Sequence, residues 1–511
     1  MTEPAGAHAP APPTDLAALA KGGRLNFYGF VLRLAARIPF LFIAGRFYGA
    51  ELLGRFAYAI LIVEFAAQLS TLGLKRGLAQ ALATTERPHT DVVWDGLAAA
   101  LIASLLAAAL LVAFPTPMFP TSDINGAEYL LPLVIPAIAL TDVALSALAY
   151  RGDIASTVRA RSLVEPWTIS IAAGALIWWS SRDGLIIAYV LSMVAALAVS
   201  VWPLWRAYGR PQRWRPRVGA MLTLARRNVP LAGADAAEWL SRRLDIALLG
   251  LFYQPAVVGI YYVAQQVATL AQKLKTSFDP VLGPALAQQV AAGDKAAIAA
   301  EVRQVGFWVL AAQGAVAISL AIPGEAVLGL VGAKFIGGNG ILAALMAAEV
   351  AAATAVVSEA ALVYLARKRN LLVSLLMLAL QAVLTLAAIL ILRGTNLPPN
   401  WQAVGPAVAL LIALAAASIV KAWLLSRLLG QPVSGWRGAL IPAAGAAVVV
   451  GFIATRLPEW LELALGVPAI LGAFGYVIWT HGFSEADRIL FKRSSKTAAD
   501  PETPPSVLPS P

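Results

Sequence analysis

The sequence contains no cysteine and little charge. With no cysteine among 511 residues, a disulfide framework, thiolate catalysis and cysteine-based metal sites are excluded. The three histidines, His8, His89 and His481, are too far apart in sequence to form a ligand motif. The chain also lacks the Gly-x-x-x-x-Gly-Lys-Ser/Thr run of ATP-binding loops, so we do not expect it to hydrolyse ATP. We therefore expect neither a metal nor a cofactor.

The shortage of charge and the abundance of apolar residues indicate a membrane protein. Charged residues make up 13% and apolar residues 59% of the chain, against about 25% and about 45–50% in soluble proteins. Uninterrupted apolar runs such as Leu97–Val112 do not fit the alternating strands of a β-barrel. The prediction is an all-α polytopic membrane protein with about 14 transmembrane helices, each long enough to cross a bilayer. The predicted spans are residues 25–45, 56–74, 92–114, 129–150, 163–180, 184–205, 229–252, 256–274, 304–331, 340–366, 370–392, 403–426, 437–456 and 461–480.

The basic residues fall mostly on one side of these spans. If the N-terminus is cytoplasmic, and residues within five positions of a span end are counted with the adjoining loop, that side holds 29 of the 39 Lys and Arg residues, the other side six and the spans four. Because cytoplasmic loops are rich in Lys and Arg, we expect both termini in the cytoplasm. The net charge of +11 is then an orientation signal and does not indicate nucleic acid binding. The most basic loop, 206–227, has seven arginines and is expected to rest on anionic lipid head groups, with a regulatory site as the alternative.

Two stretches of the chain resemble each other without gaps at an offset of 205 residues. Residues 35–59 align with residues 240–264. Since six spans separate the copies, both have the same orientation, which predicts two six-helix lobes related by a parallel repeat about an axis along the membrane normal. The identical pairs used here are Arg37 with Arg242, Gly45 with Gly250, Phe47 with Phe252, Tyr48 with Tyr253, Gly54 with Gly259 and Ala59 with Ala264.

The repeat divides the chain into six predicted segments. Both terminal tails are rich in proline, alanine or polar residues and are expected to be disordered. Because two lobes already form a complete pathway, we expect a monomer. The segments are a cytoplasmic tail at 1–23, an N-terminal six-helix lobe at 24–205, a basic linker at 206–228, a C-terminal six-helix lobe at 229–428, two additional helices at 429–482 and a cytoplasmic tail at 483–511.

Four arginines, Arg33, Arg37, Arg242 and Arg243, lie within predicted spans. An arginine at the centre of a lone transmembrane helix costs about 2.5–3.5 kcal/mol. Arg37 and Arg242 lie about 20 Å from the cytoplasmic ends of their spans at 1.5 Å per residue, too deep for easy snorkelling. The arginines either form buried pairs that join helices or line a water-filled cavity and bind a charged substrate. We favour the cavity, where a planar guanidinium suits phosphate.

Acidic side chains accompany these arginines. In the seventh span, three acids and Arg242 recur at spacings of three, four and three, which predicts one polar stripe along a helix. Glu238 and Arg242 are placed for an ion pair. For Asp142 and Glu359 a structural pair and a cavity position remain equally open. The candidates for lining the cavity, or for coupling transport to a proton or Na⁺, are Glu64, Asp142, Asp235, Glu238 and Asp245.

Three stretches resemble the polysaccharide (O-antigen type) flippase family. The first carries an R-x-x-G-x-x-x-x-G-x-[YF] run that enters a span ending in LGL and a basic residue. The resemblance covers residues 35–370, and the later spans match in number and hydropathy only. The stretches are GRFYGAELLGRFAYAILIVEFAAQLSTLGLKRGLAQAL, RRLDIALLGLFYQPAVVGIYYVAQQV and DPVLGPALAQQVAAGDKAAIAAEVRQ.

The resemblance implies a transporter of the multidrug/oligosaccharidyl-lipid/polysaccharide exporter superfamily. Such a protein would move undecaprenyl-pyrophosphate-linked oligosaccharide from the inner to the outer leaflet of the bacterial inner membrane by alternating access. On this basis Arg37 and Arg242, with Arg33 and Arg243, would contact the pyrophosphate or acidic sugars. Membrane lipids are expected partners, and a polysaccharide polymerase and export machinery are candidate partners.

Three alternatives remain open. Two are relatives in the same superfamily, a cation-coupled multidrug exporter and a peptidoglycan-precursor flippase. An exporter of cationic drugs should present mainly acidic residues, whereas arginines are found here in both repeats. The third is a membrane polysaccharide polymerase, which would resemble its family in having a large charged outer loop. Since the Pro115–Glu128 loop contains no Lys, Arg or His, we expect a transporter and not an enzyme.

Overall fold

The computed structural model describes residues 38–209, 216–276 and 292–484, with positions 286, 289, 290 and 487. Every regular element in these ranges is helical. Nine helical stretches of the described chain are long and apolar enough to cross a bilayer. The predicted all-α, multi-pass membrane fold is therefore confirmed. The total of about 14 helices stays a prediction, because most of the first span, 25–45, lies outside the described residues.

Among the α-helices of five or more residues whose two ends both lie within the described residues, seven lie in the N-terminal half and ten in the C-terminal half. The first seven are α1 Gly49–Ser70, α2 Leu74–Thr84, α3 His89–Ala113, α4 Val134–Tyr150, α5 Ile154–Val158, α6 Glu165–Leu176 and α7 Gly184–Tyr208. The rest are α8 Val218–Ser241, α9 Leu244–Phe252, α10 Pro255–Thr276, α11 Lys295–Ala321, α12 Gly324–Val331, α13 Asn339–Leu365, α14 Arg367–Arg393, α15 Val404–Leu429, α16 Leu440–Ala454 and α17 Val467–Val477.

Each predicted span from the second to the fourteenth overlaps a helix, but two that were expected to be continuous are broken. The ninth is interrupted between α11 and α12, where Pro323 lacks the N–H needed to continue the helical hydrogen bonds. The seventh is interrupted between α8 and α9, where Arg242 and Arg243 form a non-helical step. The break in the seventh span changes the position of one candidate residue, as described below.

The two ends of the bundle differ in charge. Consecutive helices joined by short connections run antiparallel, so the end of α7, the start of α8 and the start of α14 share one end. We call it the basic end, because it carries Arg206, Arg217 and the run Arg367–Arg369. The opposite end carries the Pro115–Glu128 loop.

The outside of the bundle is apolar. Helix α14 is the clearest case, because only a minority of its apolar window is buried. Six of its apolar side chains are more than half exposed: Leu371, Leu372, Leu376, Val383, Leu390 and Ile391. Contiguous apolar surface of this extent is rare in proteins surrounded by water, and here it is the surface that contacts lipid.

At the opposite end, α1 and α10 cross at a pair of glycines. A methyl group on Gly54 would lie 1.7 Å from the carbonyl oxygen of Pro255, and one on Gly259 would lie 2.0 Å from that of Ala50. Gly54 aligns with Gly259, and Ala50 with Pro255, at the offset of 205 residues. Contact between equivalent positions is what a two-fold axis through this point requires. The predicted lobe boundaries themselves stay a prediction.

At the basic end, the residues after α17 are fastened to the start of α11. The buried carboxylate of Asp487 accepts hydrogen bonds from Arg437 at 2.6 Å, from Trp308 Nε1 at 2.8 Å and from Ser484 Oγ at 2.6 Å. Burial acts to raise the pKa of Asp487, but Arg437, Ser484 and Trp308 outweigh it and hold the pKa well below its ordinary value.

We expect Asp487→Asn to destabilise the protein in a pH-dependent way. Because the folded pKa is depressed, the stabilisation is present above the unfolded pKa of about 3.9 and is lost as pH falls through the folded value. Hydrogen bonds to a charged group contribute about 1.5–3 kcal/mol. Thermal unfolding in detergent should therefore show a lower Tm for the variant at pH 7 and a shrinking difference below pH 4. The control is Asp294→Asn at the start of α11, where either residue caps the helix; equal Tm values of Asp487→Asn and the parent at pH 7 would contradict the prediction.

Candidate substrate site between the two halves

The site begins where α2 turns toward α8 at the basic end. Between α1 and α2, Leu72 and Gly73 both have positive φ angles, 52° and 74°, a conformation that ends the first helix and redirects the second. A methyl group on Gly77 of α2 would lie 1.8 Å from Oδ1 of Asn228 on α8. The absence of a side chain at Gly77 thus lets a helix of the N-terminal half contact a helix of the C-terminal half.

Arg76 carries ion pairs across this contact. Its Nε lies 2.8 Å from Asp235 Oδ1, and its Nη2 lies 2.7 Å from Glu238 Oε2, both acids being on α8. The other carboxylate oxygen of Glu238 lies 3.0 Å from Nη2 of Arg242, which is the ion pair expected from the sequence spacing. One guanidinium from the N-terminal half therefore binds two carboxylates of the C-terminal half.

Arg243 makes a second link between the halves. It lies at the break between α8 and α9, with its Nη2 3.3 Å from Oε2 of Glu64 on α1. Its guanidinium also stacks 4.6 Å from the centre of the Trp239 ring. The other oxygen of Glu64 accepts a hydrogen bond from Tyr189 of α7 at 3.3 Å. The predicted cavity candidates Glu64 and Arg243 are thus brought together.

A third group of charges lies within the N-terminal half. Asp142 on α4 pairs with Lys75 of α2 at 3.5 Å and directly with Arg161. Arg161 lies in the π-helical turn between α5 and α6 and also binds Glu165 at 2.7 Å. Asp142, which the sequence left open, is therefore a paired residue of the helix packing, and its other partner Lys75 is next to Arg76.

These groups form one charged cluster with as many basic as acidic side chains. Asp235 is within electrostatic range of Lys75 and Asp142, and Tyr189 is within range of Glu165 and Arg161, so the three groups adjoin. Such balance keeps the charges paired when no substrate is present, including the carboxylates of Asp235 and Asp142, which are the most buried of them. The charged cluster consists of Lys75, Arg76, Arg161, Arg242 and Arg243 with Glu64, Asp142, Glu165, Asp235 and Glu238.

Asp245 does not continue the predicted stripe. The helix break at residues 242–243 rotates it away from Glu238, and its side chain is fully buried. It accepts hydrogen bonds from Tyr261 and, at 3.4 Å, from Gln265 of α10. The expectation of one stripe including Asp245 was therefore wrong, because it assumed a continuous helix.

The structure and the sequence prediction differ at several other basic residues. Arg33 and Arg37 lie outside the described residues. Lys75, Arg76 and Arg161 were assigned to cytoplasmic loops and belong to the charged cluster instead. The i,i+4 spacing of Arg161 and Glu165 and the LGL turn before Lys75 were the signals that could have found them.

The sequence of this chain matches a known protein family. Residues 30–290, just over half of the chain, match the model of the family described as polysaccharide biosynthesis protein. The chain belongs to this family. No curated protein matches the sequence.

Solved structures with a similar fold include a lipid II flippase and multidrug transporters. The lipid II flippase MurJ in an inward closed conformation matches with a TM-score of 0.68 and 10% identity, over 90% of this chain and 99% of that chain. An outward-facing multidrug resistance MATE transporter of the MOP superfamily matches with a TM-score of 0.55 and 15% identity, over 80% and 96%. A MOP superfamily transporter from Pyrococcus furiosus, whose binding pocket is described as having reverse polarity, gives 0.54 and 15%, over 80% and 96%.

The family match places the chain among polysaccharide biosynthesis proteins, and its fold is similar to that of MurJ and of MATE transporters of the MOP superfamily. This confirms the resemblance found in the sequence.

Proposed function

We propose that this protein flips undecaprenyl-pyrophosphate-linked oligosaccharide from the inner to the outer leaflet of the bacterial inner membrane, with both termini cytoplasmic. The observation that carries the proposal is the convergence of Arg76, Arg242 and Arg243 at the contact between the two halves. A pyrophosphate offers several anionic oxygens, and planar guanidinium groups bind such oxygens in pairs. Arg33 and Arg37 are proposed to add to the same site.

The ion pairs suggest how substrate binding drives the change between the two open states of the transporter. With no substrate, Arg76 joins α2 to α8 through Asp235 and Glu238, and so closes the basic end. A pyrophosphate would compete with these carboxylates for the guanidinium groups, which weakens the links across the contact. In this mechanism the substrate moves the equilibrium because it binds the states differently. At the opposite end of the bundle, α1 and α10 separate at Gly54 and Gly259. The site then opens to that side, and the flipped substrate can leave.

The charges also distinguish this proposal from transport of cationic drugs. Five basic side chains lie in the charged cluster, and two of them, Arg76 and Arg243, form ion pairs between the halves; arginines at such a position favour an anion. A peptidoglycan precursor carries the same pyrophosphate, so the cluster supports that substrate equally on charge alone. The family match to polysaccharide biosynthesis favours the oligosaccharide, and the accumulated lipid in a deletion strain separates the two.

The proposal is tested by deletion and complementation. Deletion should cause the lipid-linked oligosaccharide to accumulate on the cytoplasmic leaflet. Arg242→Gln with Arg243→Gln should reduce rescue of surface polysaccharide by at least about 100-fold, because each lost charge-assisted contact costs about 1.5–3 kcal/mol. The matched control is Arg206→Gln, an exposed arginine stacked on Trp202, which should rescue fully.

The lipid that accumulates decides between the functions. Peptidoglycan precursor on the cytoplasmic leaflet would assign the alternative flippase, and unpolymerised repeat units on the outside would assign a polymerase. Full rescue by the double variant at normal protein level would show that the arginines do not carry the substrate.

A further inference from the structure

A cavity lies at the basic end of the C-terminal half, away from the charged cluster. Its volume is about 350 Å³, within the range of small-ligand sites. It is bounded by the start of α11, the segment joining α15 to α16, and the residues after α17. The polar and aromatic lining residues are Arg303, Gln304, Ser434, Trp436, Arg437 and Ser484.

One wall of this cavity is held in a fixed position. Arg437 donates from Nη1 to Gly482 O at 2.7 Å and to Asp487 at 2.6 Å, and stacks 3.9 Å from the centre of the Phe307 ring. A methyl group on Gly435 would lie 2.5 Å from backbone atoms of α11, so the loop packs directly on that helix. Its Nη2 also reaches Asp487 Oδ1 at 3.5 Å, and part of the guanidinium remains accessible. Because the side chain is already held in place, binding an acceptor there costs little conformational entropy.

The cavity has an excess of positive charge. Arg437 is balanced by Asp487, whereas Arg303 is exposed and pairs with no acid among the described residues. The hydroxyl groups of Ser434 and Ser484 add donors to the same lining. The exposed guanidinium of Arg303, the fixed guanidinium of Arg437 and the two serine hydroxyl groups together fit a singly charged phosphate group.

The cavity also lies at the depth of lipid head groups. Trp436 in its lining is 60% exposed, and Trp479 nearby is 43% exposed; tryptophans concentrate where head groups meet the acyl region. The neighbouring helix ends at this end of the bundle carry Arg367–Arg369 and Arg427. In a ligand that combines a phosphate with acyl chains, the phosphate would bind the arginines and the acyl chains would lie beside the exposed tryptophans.

We propose that this cavity binds the phosphodiester head group of an anionic glycerophospholipid from the leaflet at the basic end. The bound lipid contacts α11, the segment before α16 and the residues after α17, and so fastens the two additional helices to the C-terminal half. The site is independent of the flipped substrate, since none of its lining residues belongs to the charged cluster.

The proposal is tested by lipid binding to the purified full chain. Native mass spectrometry should show binding of phosphatidylglycerol in preference to phosphatidylcholine. Arg303→Gln should weaken phosphatidylglycerol binding about fivefold, the value of one basic residue near an anionic lipid. The matched control is Arg427→Gln, a basic-end arginine stacked on Trp423 outside the cavity, which should bind as the parent does.

Two further measurements show whether the bound phosphate belongs to a lipid and whether the variant is still folded. Phosphatidylglycerol should raise the Tm of the parent and raise that of Arg303→Gln much less, while the two proteins melt alike without lipid. An equal rise produced by inorganic phosphate would overturn the lipid assignment. Equal binding of the two lipids, or unchanged binding by Arg303→Gln, would overturn the site.

Discussion

Gly54→Ala is expected to stop transport while the protein still inserts and folds. The added methyl group would lie 1.7 Å from Pro255 O and 2.5 Å from Gly259 N, and a helix backbone cannot yield as a flexible side chain does. Overpacking of this kind costs about 1–3 kcal/mol or more. Because the clash exists only when α1 and α10 are in contact, the substitution should favour states open at the opposite end. Gly259→Ala should act in the same way, since its methyl group meets Ala50 O.

The absence of native cysteine makes this shift directly measurable. In an otherwise functional Val258→Cys protein, the introduced thiol lies on a residue only 1% exposed at this contact. A membrane-impermeant maleimide should react at least tenfold faster when Gly54→Ala is also present, and rescue of surface polysaccharide should be lost.

The matched control for the glycine pair is Gly445→Ala. Gly445 lies within α16, and no atom lies within 4 Å of the methyl position, so alanine there should be tolerated and slightly favours the helix. If Gly54→Ala transported normally and left the thiol unreactive, the α1–α10 contact would not be part of the transport cycle.

Arg161→Met is expected to cause the largest loss of stability. The arginine binds Asp142 and Glu165, and its removal leaves Glu165 without that partner and Asp142 with Lys75 at 3.5 Å. Breaking a buried pair costs about 3–5 kcal/mol, a large part of a typical total stability of about 5–15 kcal/mol. Thermal unfolding in detergent and the steady-state protein level should both show the loss.

Two comparisons separate the charge effect from general damage. Arg206→Met, at the end of α7, should be nearly neutral because that arginine is exposed and only stacks on Trp202. Adding Asp142→Asn and Glu165→Gln to Arg161→Met should recover much of the stability, because no uncompensated carboxylate remains. A parent-like Tm for Arg161→Met alone would refute the structural role of this pair.

The fold class was predictable because hydrophobic length is decisive in a bilayer. Apolar runs such as that in α3 leave no other structure that satisfies the backbone. The repeat identified Gly54 and Gly259 as equivalent positions, and the structure places these two residues in contact. Helix breaks were less predictable: Pro323 gave a local signal, whereas no residue at the step at Arg242–Arg243 gives one, and the partner of Arg243 there is the distant Glu64.

The candidate site was predictable only in part. Glu238 and Arg242 could be paired by their spacing on one helix, but the partners of Arg76 and Arg243 come from distant parts of the chain. Counting basic residues also assigned Lys75, Arg76 and Arg161 to loops, and Lys421, which pairs with Glu359 at 2.8 Å in a buried position, to the orientation signal. A count of this kind cannot tell a loop arginine from one that turns back into the bundle.

The most direct test of the central claim is a flipping measurement on the reconstituted full chain. Lipid-pyrophosphate-linked oligosaccharide is placed in both leaflets of vesicles that contain the protein, and a membrane-impermeant glycosidase is added under an imposed proton or Na⁺ gradient. We predict that the parent exposes nearly all of the oligosaccharide to the enzyme, whereas Arg242→Gln with Arg243→Gln exposes only the outer-leaflet share. Digestion limited to the outer leaflet with the parent protein, or equal flipping by the double variant, would contradict the account.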